Sequence, residues 1–172
     1  MRPPMKPLKS LDDALAALLV QASSAPLTEI IATYDADGRV LAQDCVSALQ
    51  VPPNDNSAMD GYAVRSAEVT AAGVALPVSQ RIPAGSVGQP VQPGTAARIF
   101  TGAPLPPGAD TVVMQELCEH DGDYVIVNTV PRLGEAVRRM GEDIAVGDLI
   151  LPAGLRLTPQ AVALAASVGL AQ

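Results

Sequence analysis

The chain has 172 residues; 48% are hydrophobic but only 2% aromatic, and 11 Lys and Arg face 18 Asp and Glu, for a net charge of −7. That length holds one ordinary domain or two small ones around an aliphatic core. Scarce aromatic platforms and an acidic balance argue against nucleic acid as a partner, whereas a small anionic substrate stays open if a divalent cation bridges it to carboxylates.

Ser10 followed by Asp13 is a capping pattern, and Leu11, Ala14, Leu15, Leu18 and Leu19 then share one face, which predicts a helix over 11–21. Arg2, Lys6 and Lys9 ahead of the apolar run 14–20 also resemble a secretory leader. Asp12 and Asp13 interrupt that pattern, and the helix accounts for the same residues. No apolar run is long enough to span a membrane. Cys45 and Cys118 lie in unrelated contexts without a C-x-x-C, and the lone His120 in "EHDGD" reads as an exposed turn. The expectation is no zinc site and a reducing, cytoplasmic compartment.

The middle of the chain is punctuated by most of the 14 glycines and 16 prolines. Strands are predicted at 27–33, 44–48, 61–64, 75–81, 96–100, 111–116, 124–130 and 148–151, with a short helix at 35–43. Near the end, Thr158 as N-cap, Pro159 at the first helical position and Gly169 as a stop predict a helix over 158–168, with Val162, Ala165 and Ala166 on its apolar face. The layout predicts an α+β fold. A β-rich domain of coiled or barrel-like sheets, 51–133, is inserted into a small mixed lobe built from 1–50 and 134–172, which carries both helices.

Three segments have the composition of a site. In "VPPNDNSAMDGYAVR" (51–65), Pro52 and Pro53 stiffen a loop rich in short polar side chains that bond back to backbone. Asp60-Gly61 within it is either a hairpin turn or a carboxylate held for chemistry. An EF-hand match fails, because Gly61 and Ser66 fall at the wrong positions of the loop. In "RIFTGAPLPPGADTVVMQE" (98–116), Thr101 offers a hydroxyl, and Gly102 lets a ligand approach backbone amides; the alternative is a tight connection between strands. In "RRMGEDIAVGDLILPAG" (138–154), Arg138 and Arg139 either pair with Glu142 and Asp143 or meet a substrate phosphate. No G-x-G-x-x-G, P-loop, G-x-S-x-G or H-E-x-x-H occurs, so the chain has no nucleotide-binding fingerprint of its own.

These segments, with "GRVLA" (38–42), "PAG" (83–85), "GEDI" (141–144) and "LPAGLRLTPQAVALAASVG" (151–169) in the same order, resemble the molybdopterin molybdotransferase family of the MoeA and gephyrin E-domain type. Asn54 departs from the aromatic often found there. The resemblance implies that the chain corresponds to the first two domains of such an enzyme, followed in family members by an α/β domain that grips the pterin nucleotide and a small β domain. It implies insertion of molybdate into adenylylated molybdopterin with release of AMP, assisted by Mg²⁺, in a homodimer whose sites lie between subunits. Carried over by motif, Asp60, Thr101 and Asp143 are the expected catalytic residues, Asp60 and Asp143 the expected metal ligands, and Ser57, Gly102 and Arg138 the expected substrate contacts. This chain alone is expected to be inactive; the alternative is a gephyrin-like assembly module without catalysis.

Overall fold

The computed structural model describes residues 9–22 and 27–172. The basic part of the leader-like pattern, with Arg2 and Lys6, lies outside the described residues. Ser10 Oγ accepts from the Asp13 amide and opens helix α1, Leu11–Gln21, as the capping pattern requires. Its leucine face is not buried: Leu11, Leu15, Leu18 and Leu19 are all more than half exposed. Thr158 accepts from the Ala161 amide and opens helix α2, Pro159–Ser167, which does bury Ala161, Val162 and Ala165. The two helices, expected in one lobe, thus differ in what they bury among the described residues.

The lobe around α2 is sewn from both ends of the chain. Strand β1, Cys45–Val46, pairs antiparallel with β10, Leu149–Leu151, and Val40 bridges to Arg156. Ala36, Leu151, Leu157, Ala161, Val162 and Ala165 form its core. Two expectations fail here. Residues 27–32 form no strand and lead into a 3₁₀ turn, Thr33–Asp35, anchored because the Thr33 amide and hydroxyl donate to Ala171 O and Leu170 O. Residues 35–43 form no helix, because the Gly38 and Leu41 amides donate to Leu157 O and Leu155 O. Long-range pairing takes the backbone donors that a local helix would have used.

The β-rich body is one six-stranded sheet. Strands β3 (Gly61–Val64), β4 (Val74–Ile82), β5 (Ala96–Ile99), β6 (Thr111–Met114), β7 (Cys118–Asp121) and β8 (Tyr124–Val127) lie in the order β6-β3-β5-β4-β8-β7. β4 turns the sheet on itself. Its first half pairs with β8 and its second half runs parallel to β5, with a register shift between Val78 and Gln80. A bulge of this kind bends a strand and raises its twist, which gives the curled, half-barrel form. Side chains alternate across the sheet, so Tyr62, Val64 and Val113 enter one core and Ala63, Val112 and Ile99 another. Each fully buried valine or isoleucine there contributes roughly 1.5–3 kcal/mol.

Two local readings are corrected by this sheet. "EHDGD" is not merely a turn: His120 belongs to edge strand β7, and the hairpin to β8 closes over Gly122-Asp123. Asp60-Gly61 is not a hairpin turn. Strand β2, Asn56–Ser57, leaves that segment to pair with β9, Val137–Arg138, while Gly61 already lies in β3 between Ile99 and Met114. Its glycine is required by space: a Cβ there would sit 2.0 Å from Val113 O.

Candidate active site at the Asp60 loop

The three segments singled out by composition meet in space, and backbone hydrogen bonds hold them. The Ser57 amide donates to Ala103 O at 3.0 Å and the Gly102 amide to Ser57 O at 2.8 Å. On the other side, the Ala58 amide donates to Ala136 O, and Asn56 and Ser57 face Arg138 and Val137 in the β2–β9 ladder. The Gly141 and Asp143 amides donate to Pro52 O and Val51 O. The stiff polar loop is therefore a middle layer, with the Thr101 turn on one flank and the 134–144 segment on the other.

Asp55 explains part of that polarity. Its carboxylate accepts from the Met140 amide at 2.8 Å and from Arg139 Nη1 at 2.6 Å, and these bonds hold its carboxyl below the ordinary range. It staples the loop to the 138–143 turn, a role the sequence did not disclose.

Asp60 is oriented by one residue. The Thr101 amide and hydroxyl both donate to Asp60 Oδ1, at 2.9 and 2.8 Å, and the Asp60 carbonyl accepts from the Gln115 amide. The amide, then the hydroxyl, hold the carboxyl below its usual value, and the charge of Arg98 adds to this. Asp60 Oδ2 takes no hydrogen bond among the described residues. Arg98 works from behind: its guanidinium donates to Gly61 O at 2.8 Å and to Gln115 Oε1 at 2.5 Å. An arginine inside the otherwise apolar strand sequence "AARIF" was the available signal for it.

The other expected site residues are placed as follows. Ser57 is buried, and its hydroxyl donates to Met59 O at 2.5 Å, so it shapes the approach to Asp60 from within the loop. Gly102 has φ +82° and open space where a Cβ would stand, so the turn, not close approach, needs glycine; its amide is already bonded to Ser57 O. Asp143 accepts from Arg138 Nη2 through both oxygens, at 2.6 and 2.5 Å, and Arg138 Nε reaches Glu142 at 3.3 Å. Asp143, followed by Glu142, raises the pKa of the guanidinium. Asp60 and Thr101 are thus brought together directly. Arg138 and Asp143 form a separate ion pair within the 134–144 flank, with no hydrogen bond between the Asp60 and Asp143 carboxylates.

Mg²⁺ takes six oxygens, keeps several waters and uses one or two carboxylates plus substrate phosphates. Asp60, with one oxygen anchored and one open, fits such a role. Asp143 does not fit it as placed, because both of its oxygens accept from Arg138. Among the described residues, no three His, Cys, Asp or Glu side chains gather as a cation site. No helix of the described residues is long and apolar enough to cross a membrane.

A curled, half-barrel sheet beside a small mixed lobe is a fold that known proteins share. Residues 9–169 match the model of the MoeA N-terminal region, domain I and II. The chain is 39% identical over 165 residues to a molybdopterin molybdenumtransferase of Haemophilus influenzae, covering 95% of this chain and 41% of that protein. A molybdopterin molybdenumtransferase of Nostoc is 41% identical over 171 residues, covering 95% and 39%. The crystal structure of a molybdopterin biosynthesis moeA protein from Pyrococcus horikoshii superposes with a TM-score of 0.89 at 35% identity, over 93% of this chain and 44% of that one. The chain belongs to the MoeA family and carries its N-terminal region, spanning about two-fifths of the length of the curated relatives it matches.

Proposed function

We propose that this chain supplies the N-terminal half of a molybdopterin molybdotransferase site, which inserts molybdate into adenylylated molybdopterin and releases AMP. The observation that carries the reading is Asp60: a surface carboxylate with one oxygen fixed by two donors of Thr101 and the other open. A preorganised carboxylate of this kind holds a cation or a water at a fixed point without reorganisation during reaction. Mg²⁺ bound there supplies charge neutralisation of the substrate diphosphate. Asp60 ligates it, Thr101 aims Asp60, and Arg98 fixes the Gly61 peptide on which Asp60 is mounted. Asp143 reaches a cation only by exchanging Arg138 for it, so the Arg138–Asp143 pair is assigned to the substrate-facing rim, with Ser57 and Gly102 shaping the loop between.

The pterin nucleotide needs phosphate-cradling donors beyond these residues, so the working assembly is a homodimer that brings an α/β domain to the Asp60 face, in the cytoplasm. The uncovered leucines of α1 support association, since a row of large apolar side chains in water favours a partner. The test uses a chimera in which this chain replaces the matching N-terminal region of the Haemophilus influenzae relative. With adenylylated molybdopterin, molybdate and Mg²⁺, the chimera releases AMP and the isolated chain does not. Turnover by the isolated chain at the rate of the intact relative would overturn the half-site. A folded, dimeric chimera with no AMP release would favour an assembly module.

A further inference from the structure

A depression of about 510 Å³ opens beside the Asp60 loop, on the face of the sheet that carries Tyr62 and Arg98. Arg81, Arg98, Phe100 and His120 line it together with Tyr62 and Ser79, and no carboxylate is among its lining residues. In a chain of net charge −7 this is a local reversal of sign. Arg81 and Arg98 are register partners on the parallel strands β4 and β5, which sets the two side chains next to each other. Both guanidiniums lie over the Phe100 ring, 4.6 and 4.4 Å from its centroid.

Two like charges held this close repel, and neither forms an ion pair among the described residues, although the Asp60 charge acts on Arg98 from beside the hollow. Arg98 spends hydrogen bonds on Gly61 O, Ile99 O and Gln115 Oε1, none of them anionic. Arg81 makes no hydrogen bond or ion pair among the described residues. The ring fixes the orientation of both cations through cation–π contact, which lowers the entropy lost when a ligand binds. The result is a preorganised pair of guanidinium forks with open N–H groups and an imidazole across the hollow. Their geometry suits a tetrahedral oxyanion, which guanidinium recognises through paired N–H donors.

We propose that this depression is an oxyanion subsite, in which Arg81 and Arg98 hold a tetrahedral dianion such as a phosphate monoester or molybdate. Arg98 then has two duties, since it also grips the Gly61 peptide behind Asp60, and an anion bound here lies next to the Asp60 carboxylate. The anion site stands on its own geometry; only the choice of molybdate as a probe rests on the molybdotransferase reading.

The experiment is a titration of the isolated chain with inorganic phosphate, adenosine monophosphate or molybdate at constant ionic strength, followed by the NMR signals of His120 and the arginine Nε–H groups. Saturable shifts confined to these residues are expected, with a Kd on the order of 1 mM for phosphate. Arg81→Gln, at an exposed position, weakens binding about tenfold, and Arg81→Lys weakens it less, because charge remains but the fork is lost. Tighter binding of adenosine monophosphate assigns the subsite to a phosphate ester, and tighter binding of molybdate assigns it to the metal oxyanion. Shifts that follow chloride equally well, or unchanged affinity in Arg81→Gln, would overturn the proposal. Because the readout is binding to the isolated chain, its failure is distinct from a failure of AMP release in the chimera.

Discussion

Thr101 gives both its amide and its hydroxyl to a single oxygen of Asp60, at 2.9 and 2.8 Å, across 41 residues of sequence. This pair converts a flexible surface carboxylate into one with a fixed direction, and most of what the site can do follows from it. Replacing Thr101 by Val removes the hydroxyl but keeps the amide. The Asp60 carboxyl then titrates at higher pH, nearer the ordinary value, whereas Thr101→Ser leaves it low. Carboxyl-carbon NMR titration reads this directly, and an unmoved Asp60 in Thr101→Val would mean that the hydroxyl does not engage it in solution.

Asn can accept both Thr101 bonds through its own Oδ1, so Asp60→Asn preserves the turn while deleting the charge. In the chimera, AMP release falls about a hundredfold or more, and the thermal midpoint stays nearly where it was. Full activity in the variant would reduce Asp60 to a turn residue.

Gly61→Ala forces a methyl against Val113 O, a contact no rotamer relieves because the position of Cβ is set by the backbone and its neighbour is itself a backbone atom. The loss of stability is roughly 1–3 kcal/mol, seen as a lower urea midpoint with an unchanged slope. An unaffected midpoint would show that β3 and β6 can separate at this position.

Acid weakens the fold through Asp55. Its carboxyl lies below the ordinary range in the folded chain, so between the folded and unfolded pKa values the unfolded state binds the extra proton and stability rises with pH. The contribution is whole above about pH 4 and is lost as pH falls through the folded value. Thermal midpoints measured across that range should fall on acidification, and Asp55→Asn should flatten the fall. An equally steep acid limb in the variant would remove Asp55 from the account.

Burial pushes the Cys118 thiol up to about 11, against the pull of Arg98, and burial with the Asp44 charge also raises Cys45. Since the thiolate is the reactive form, alkylation of Cys118 by iodoacetamide at pH 8 is expected to run about a hundredfold slower than that of an unperturbed thiol. Rapid labelling of both cysteines in the folded chain would contradict their placement.

The sequence by itself determined the two helices, because caps and stops at Ser10, Thr158 and Pro159 act within a few residues. It determined strand β3 to the residue and six further strands to within a few positions, since short apolar runs bounded by turn residues are a local pattern. It also marked the three segments of the candidate site, whose Gly, Pro and Asp content is itself local. What it left undecided is where each backbone donor and each long side chain goes. Residues 27–33 and 35–43 carried strand and helix patterns that lost to hydrogen bonds with Leu155, Leu157, Leu170 and Ala171, more than a hundred residues away. Asp60-Gly61 looked like a hairpin, and only the approach of Val113 O shows why glycine stands there. Arg98 and Arg81 were two cations in strands until register placed them side by side over Phe100. Local periodicity fixes which elements form, but partner choice depends on contacts between distant segments, and those are decided only when the whole core closes.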